Sequence, residues 1–467
     1  MRVVPSRLLL ILAAFVLIPA ATLVVWDDGI LRAASLCVIL LLIGLCWWDA
    51  ARSRRLIESI DASLPDLIRG TRGRTFEVPI DFTHSNAEPL TLRYGIALSA
   101  AFRSEGEVVV TMKDLKPGQK YRSRYPLLAL MRGNYRLESL HFEVSSRAGV
   151  WSLRRDIPLQ TEVRVYPDLS SERKRLASHF LQRGREGNHA LRQVGKGRDF
   201  EQLREYQPGD DYIDIDWKAT ARRGMPVTRT YQIERTQEIY VVVDHSRLSA
   251  REIRVPVDEA LEGDWLYQDT NAGGEWVVTT QLEKFLHGSL ILSSVAERQG
   301  DLFGFISFAD KVDRFIRSRN GRDHYNVVRD ALYTLEPSLV APDYEELMIT
   351  LRQRLTRRAL IVMLIDLSDP LTAEQFFEAL PLIQGKHLVL VNMVRPERAY
   401  PMFSQSREVE SEADVYAGLG GHFQWQDLRE IGNRLSHLGV ELGLPEHQEL
   451  CGEVVSQYLK VKRRQLI

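Results

Sequence analysis

The first fifty residues carry two long apolar runs. Residues 8–26 are uncharged, and residues 30–48 form a second run that only Arg32 interrupts near its start. Each run is long enough to cross the ~30 Å hydrocarbon layer of a membrane as a helix. The three residues between the runs leave room only for a tight link, so the pattern predicts a transmembrane helical hairpin over residues 1–50.

Basic residues flank this hairpin at both outer ends, and residues 51–74 form a basic juxtamembrane segment. Because positive residues stay on the cytoplasmic side, we expect both chain ends and the soluble domains in the cytoplasm, with the lipid bilayer as a binding partner. A cleaved signal peptide ending near Ala20 and Ala21 is disfavoured, since the first run is too long and a second follows at once. The flanking basic residues are Arg2, Arg7, Arg52, Arg54 and Arg55.

The pattern changes to short alternating runs over residues 75–168. Clusters of Gly, Pro, Asn and Ser separate these runs, which is the spacing of strands joined by turns. We expect an antiparallel β-sandwich here. Residues 169–197 are polar, charged and punctuated by glycine, and they are interpreted as a linker.

Residues 198–467 alternate between apolar strands and amphipathic helices. Continuous apolar runs are typical of parallel strands buried on both faces, and the stretches between them carry apolar residues at helical spacing. The pattern predicts a doubly wound α/β domain, whose ligands bind at the carboxyl ends of the strands. Asp244 and Asp366 stand at two such ends. The predicted strands are residues 238–244, 301–309, 359–367 and 386–394.

The amino-acid composition argues against several classes of function for this chain. The 467 residues contain 61 Lys and Arg against 62 Asp and Glu, a formal net charge of -1 that argues against a general nucleic-acid binder. Three cysteines cannot form a disulfide framework, which fits a reducing compartment. The sequence has no G-x-S-x-G, H-E-x-x-H, C-x-x-C or G-x-x-x-x-G-K-[ST] motif, so we predict no enzyme activity.

Residues 204–222 contain a dense polar signature that leads into the first apolar strand at residue 238. This R-x-Y-x-P-G-D-D-x-x-x-I-D-W-x-x-x-A-R pattern resembles the domain of unknown function 58 family, in which a von Willebrand factor A-like domain follows. Its aspartates, with Asp214, could be paired carboxylates for acid–base chemistry, but a structural salt network with nearby arginines is the favoured interpretation. The matching positions are Arg204, Tyr206, Pro208, Gly209, Asp210, Asp211, Ile215, Asp216, Trp217, Ala221 and Arg222.

The resemblance implies a metal site of the Asp-x-Ser-x-Ser type, completed by a Thr and a late Asp. Asp244 and Ser246 match the first two positions, and Asp366 matches the late acid. Leu248 replaces the second Ser and Pro342 replaces the Thr, which removes two oxygen ligands. We therefore expect a degenerate site that binds Mg²⁺ or Mn²⁺ weakly at most. The alternative is that both acids only cap the loops after their strands.

Residues 247–278 form an insertion between the first strand and the next helix. A strong turn signal at residues 271–274 predicts a small hairpin. Its aromatic residues Trp265, Tyr267 and Trp276 would be exposed anchors for a partner, or the segment would be a lid over apolar surface.

The resemblance implies a binding module at the bacterial inner membrane that partners a MoxR-type AAA+ ATPase. The chain has no phosphate-binding loop of its own, so ATP-driven work would come from that partner. Two other classes stay open from the residues alone: a membrane-bound metal-dependent hydrolase and a structural protein of the cell envelope.

Overall fold

The chain folds into two compact units. One contains residues 1–168 and 257–277, and the other contains residues 169–256 and 278–467. The computed structural model describes residues 2–25, 29–86, 89–183, 194–195, 199–207, 212–232, 237–256, 267–269, 276–402, 404 and 412–464.

Two helices occupy the apolar N-terminal region, α1 (Arg7–Val25) and α2 (Gly29–Glu58). Within the described residues, one helical stretch, Ala33–Glu58, is long and apolar enough to cross a membrane, and Arg7–Val16 is a shorter apolar helix. The two-span hairpin stays a prediction. Of its proposed link at residues 27–29, residues 27 and 28 lie outside the described residues and Gly29 begins α2. Helix α2 also continues past the predicted end at residue 48.

The rest of the first unit is built from strands in three sheets, of five, four and three strands. Sheet structure begins before residue 75, because residues 60–71 contribute two strands where a basic juxtamembrane segment was predicted. The orders are β1-β11-β10-β5-β7, β2-β4-β8-β6 and β3-β12-β9. The strands are β1 (Arg2–Pro5), β2 (Ile60–Ser63), β3 (Leu67–Thr71), β4 (Thr75–His84), β5 (Leu90–Ile96), β6 (Phe102–Ser104), β7 (Val110–Leu115), β8 (Tyr121–Ala129), β9 (Gly133–Arg136), β10 (Ser139–Ser145), β11 (Trp151–Pro158) and β12 (Glu162–Tyr166).

Alternation of apolar and polar residues gives these sheets one inner face. In β4, Val78, Ile80 and Phe82 are fully buried while the residues between them are partly exposed. This period of two is what a half-buried strand requires. Ile57 of α2 joins the same core, so the apolar helix and the sheets share one hydrophobic cluster.

The end of α2 is fixed to the sheets by hydrogen bonds as well. The Trp151 Nε1 atom donates to the Cys46 carbonyl at 2.8 Å, and the Ala148 amide donates to the Asp49 carboxylate at 3.2 Å. The Ser53 hydroxyl accepts from the Arg147 amide at 3.2 Å. The apolar helix therefore runs directly into the sheets of this unit without an intervening flexible link.

The remaining helices and strands follow residue 169. The segment predicted as a linker begins with a helix, while residues 184–193 and 196–198 lie outside the described residues. The helices are α3 (Ser170–Arg183), α4 (Trp217–Arg223), α5 (Gln281–Arg298), α6 (Arg322–Leu332), α7 (Tyr344–Arg354), α8 (Pro370–Ala379), α9 (Pro381–Gln384), α10 (Glu412–His437) and α11 (Leu450–Arg464). The strands are β13 (Val194–Gly195), β14 (Asp199–Glu205), β15 (Val227–Gln232), β16 (Glu238–Asp244), β17 (Glu252–Pro256), β18 (Tyr267–Asp269), β19 (Trp276–Thr280), β20 (Leu302–Phe308), β21 (Val312–Arg319), β22 (Leu360–Leu364), β23 (Leu388–Asn392) and β24 (Glu441–Gly443).

A six-stranded sheet of order β21-β20-β16-β22-β23-β24 forms the centre of the second unit. All pairs are parallel except β20 with β21, which are antiparallel. On one face, Tyr240 and Val242 share a core with residues of α7, α8 and α10. On the other face lies α5, where Gly288 approaches Leu364 of β22 and Leu450 of α11. The four predicted strands are present, and helices cover both faces.

Candidate functional site

Asp244 ends β16 at the carboxyl edge of the parallel sheet and is fully buried. Its Oδ1 atom accepts a hydrogen bond from the Ser246 amide at 2.7 Å, whereas its Oδ2 atom has no partner among the described residues. Burial raises the pKa of the Asp244 carboxyl to about 7, against the lowering effect of the hydrogen bonds with Ser246. The nearby charge of Asp366 adds to the rise. The carboxyl therefore keeps much of its proton at neutral pH and is largely protonated below it.

Asp366 follows β22 at the same edge of the sheet and is nearly as buried. Its Oδ1 atom accepts from the Ser368 amide at 2.9 Å, and the Arg251 Nη1 atom lies 3.9 Å from its Oδ2 atom. Tyr344 opens α7 beside the two acids, and its hydroxyl is buried with no partner among the described residues. Burial raises the pKa of Tyr344 well above its usual range, and the charges of Asp244 and Asp366 contribute to this rise. The edge thus holds two acids and a neutral phenol.

Ser246 and Ser249 are committed to the turn after β16. The Ser246 hydroxyl caps the 3₁₀ turn Arg247–Ala250 by accepting from the Leu248 amide at 3.4 Å. The Ser249 hydroxyl donates to the Ser246 carbonyl at 2.8 Å and is buried. Ser249 therefore satisfies its own turn and does not replace the oxygen that Leu248 lacks.

This donor set does not fit a tightly held divalent ion. Asp244, Asp366 and Ser246 offer oxygens, but Mg²⁺ prefers six oxygen ligands in an octahedron. A carboxyl with a pKa near 7 must also lose its proton before it can ligate a metal. In the described part of the chain, no three His, Cys, Asp or Glu side chains come together in a way that could hold a metal ion.

His245 adds a polar pair that the sequence patterns did not reveal. Its Nε2 atom contacts the Asp313 carboxylate of β21, and its Nδ1 atom lies 3.2 Å from the Glu336 carbonyl. The backbone of His245 also bonds to Phe308 and Ser338. His245 is thus held by β20, β21 and the loop after α6. In the sequence, only its place next to Asp244 could have indicated this position.

The signature segment begins at the end of β14 and finishes before β15. Pro208, Gly209, Asp210 and Asp211 lie outside the described residues, as does the side chain of Asp214. Ile215 is buried and bridges to Thr228, while Ala221 and Arg222 are exposed on α4. Arg204 donates to the Glu205 carbonyl at 3.1 Å, and the rings of Tyr206 and Tyr212 lie 5.9 Å apart.

Asp216 is the N-cap of α4. Its Oδ1 atom accepts from the Lys218 amide at 3.0 Å and the Ala219 amide at 2.9 Å. These are two of the amides that the start of a helix leaves without partners. The carboxylate of Asp216 therefore has a structural role, because it caps the first turn of α4.

Replacing Asp216 with alanine is expected to weaken α4 by about 1 kcal/mol, because the cap is lost. Amide hydrogen exchange at Lys218 and Ala219 should then be about fivefold faster, since ~1.4 kcal/mol corresponds to a factor of ten. Asp216→Asn keeps an accepting oxygen and should stay close to the native rate. Native rates in the alanine variant would show that the cap contributes nothing.

Large apolar side chains of the signature segment lie on the surface. Ile213 is 88% exposed and Trp217 is 67% exposed, and Tyr212 and Met225 are also exposed. We call these four residues the signature surface. Exposed basic residues from α4 accompany them, namely Lys218, Arg222 and Arg223.

The described part of the insertion contains β17, β18 and the start of β19. Trp265 and the predicted turn at residues 271–274 lie outside the described residues. Tyr267 and Trp276 belong to β18 and β19, and their side chains are not among those described.

Comparison with known proteins gives distant relatives. Over 149 residues the chain is 24% identical to the uncharacterized protein YeaD of Bacillus subtilis (strain 168), a match that covers 32% of this chain and 37% of that protein. A crystal structure of an aerotolerance-related membrane protein from Bacteroides fragilis NCTC 9343 aligns with 14% identity and a TM-score of 0.26, covering 48% of this chain and 99% of that one. The conserved hypothetical protein BatB from Bacteroides thetaiotaomicron aligns with 14% identity and a TM-score of 0.24, with the same two coverages.

The signature and the strands that follow it also match a described family. The match begins two residues before the signature and continues past β23, so that it includes Asp244 and Asp366. Residues 202–252 and 246–405 match the family described as protein of unknown function DUF58, and this part of the chain is therefore similar to that family.

Proposed function

We propose that this chain is a membrane-anchored protein-interaction module that partners a MoxR-type AAA+ ATPase. It would be held in the bacterial inner membrane by both N-terminal helices, with its soluble units in the cytoplasm and a von Willebrand factor A-like fold in the second unit. The apolar helix Ala33–Glu58 and the basic residues around it support the anchor. A MoxR-type ATPase is proposed as the partner because the signature segment resembles the domain of unknown function 58 family.

The observation that carries the proposal is the exposure of the signature surface. Soluble proteins seldom place a tryptophan, an isoleucine and a tyrosine from one short segment in water without a use for them. Aromatic residues with neighbouring arginines are the groups that dominate the binding energy of protein interfaces. The basic residues Lys218, Arg222 and Arg223 favour an acidic surface on the partner.

The acids at the sheet edge support a binding function over catalysis. Asp244 is buried and keeps much of its proton at neutral pH, and one of its oxygens is already bonded to Ser246. Asp366 accepts from its own loop and lies beside Arg251. The sequence also lacks a phosphate-binding loop, so nucleotide hydrolysis would belong to the ATPase.

The double variant Ile213→Ser with Trp217→Ala is expected to weaken binding to the ATPase at least tenfold. Removing two central anchors from an interface typically costs ~2 kcal/mol or more. The measurement is capture of a purified MoxR-type ATPase by the full chain in nanodiscs, with nucleotide hydrolysis blocked.

A matched control places the same changes on another exposed apolar surface. Tyr416 and Phe423 of α10 are 73% and 55% exposed, and Tyr416→Ala with Phe423→Ser should leave capture unchanged. Failure of the native chain to capture any such ATPase would remove the proposed partner. Equal loss in both double variants would remove the role of the signature surface.

A further inference from the structure

A cleft of about 350 Å³ opens at the carboxyl edge of the parallel sheet in the second unit. Arg251 lines it from just before β17, Arg254 from within β17, and Arg395 and Arg398 from the loop after β23. Gln281, the first residue of α5, also lines it. Three separate segments therefore bring four guanidinium groups and one amide together.

Two of the arginines are already engaged with acids. Arg251 lies 3.9 Å from Asp366, and the Nη2 atom of Arg395 contacts Glu446 and donates to the Tyr400 hydroxyl at 3.2 Å. These contacts orient the two guanidinium groups at the cleft wall.

Arg254 and Arg398 are exposed, and no carboxylate in the described part of the chain forms an ion pair with either side chain. The Glu397 carboxylate beside them accepts from the Arg254 backbone amide at 2.9 Å. The cleft thus has two guanidinium groups available for a ligand.

Gln281 supplies a second, independent indication of a ligand. Its side chain is 2% exposed, and its Nε2 atom has no acceptor among the described residues. The Nε atom of Arg395 is likewise buried without an acceptor in the described structure. Leaving a buried donor without a partner costs roughly 1–3 kcal/mol. An oxygen-rich ligand in the cleft would give both donors an acceptor.

We propose that this cleft binds a small soluble molecule through a phosphate group. Guanidinium forks match the oxygens of phosphate, and a phosphate monoester carries about two negative charges at neutral pH, which complements the two available arginines. The volume, about 350 Å³, lies at the small end of the range for small-molecule sites and leaves room for more than a single phosphate. The site is independent of the signature surface and of any ATPase partner.

Calorimetric titration of the full chain in nanodiscs of neutral phosphatidylcholine tests the proposal. The probes are inorganic phosphate and glycerol 3-phosphate, and both should bind saturably at one site. Arg254→Gln with Arg398→Gln should weaken binding of both probes at least tenfold, and Gln281→Met should weaken it less. Arg352→Gln, an exposed arginine on α7 away from the cleft, should bind as the native chain does.

The experiment distinguishes a loss of ligand binding from a loss of the folded state. Thermal melting of each variant checks that the unit is folded before titration. Saturable binding that is lost only in the cleft variants supports the site. No saturable binding by the native chain, equal loss in Arg352→Gln, or succinate that competes as well as phosphate would overturn the proposal.

Discussion

Asp244→Asn is expected to stabilise the second unit by about 4 kcal/mol at pH 8, because each unit of pKa shift corresponds to ~1.4 kcal/mol. The carboxyl has a pKa of about 7 in the folded chain against an ordinary value of 3.8. Between these two values the folded state holds a proton that the unfolded state has lost. The stability contributed by this group is therefore complete below about pH 4 and is lost as the pH rises to about 7. Asparagine retains an oxygen for the Ser246 amide and cannot ionise.

The measurement is urea unfolding of native chain and variant across pH 4 to 8, compared as a difference at each pH. Asp427→Asn serves as the matched control for the substitution itself, since Asp427 is exposed on α10. A native chain that gains stability relative to Asp244→Asn as the pH rises would contradict the buried, protonated carboxyl.

The protonation of the Asp244 carboxyl also limits cation binding at this edge of the sheet. A divalent ion would need Asp244 ionised, and the ion would have to replace a proton that burial and Asp366 hold in place. Because Ser249 satisfies its own turn, no additional hydroxyl from that loop compensates. The ligand count therefore opposes metal binding, and the proton on Asp244 competes with a cation increasingly as the pH falls below about 7.

The sequence predicted the central strands well because their signal is strong. Strands buried on both faces appear as continuous apolar runs, as in β16 and β22. Two edge strands gave no such signal. Strand β21 mixes charged and apolar residues without a continuous apolar run, and β24 has only three residues. Their positions depend on pairing with β20 and β23, which a local pattern does not contain.

The strand pattern also predicted part of the candidate site. Asp244 and Asp366 end parallel strands, so their shared edge follows from the strand pattern. Tyr344 and Asp313 reach that edge from other segments, while His245 directly follows Asp244, and the types of these residues have no characteristic spacing. The unpaired amide of Gln281 is likewise visible only in three dimensions, because an N-terminal glutamine in an amphipathic helix looks like an ordinary polar residue.

Helix α10 has a weak signal in the sequence because four glycines lie within it, and glycine disfavours helices by about 1 kcal/mol relative to alanine. Close packing explains why one of these glycines, Gly421, is needed. A Cβ atom at this position would lie 1.9 Å from the Arg398 carbonyl oxygen and 2.9 Å from its carbon, so the helix and the loop after β23 can approach this closely only without a side chain. Tertiary packing therefore selects a residue that local propensity rejects.

Gly421→Ala is expected to destabilise the second unit by about 3 kcal/mol, since a backbone oxygen cannot move aside as a side chain does. Gly420→Ala is the matched control on the neighbouring position, where a Cβ atom would meet no other atom within 4 Å, and it should stabilise the helix by roughly 0.5–1 kcal/mol. Urea unfolding of both variants measures the two effects. Opposite signs at adjacent glycines would show that the contact with Arg398 fixes α10, whereas stabilisation by both alanines would mean that the close approach does not exist in solution.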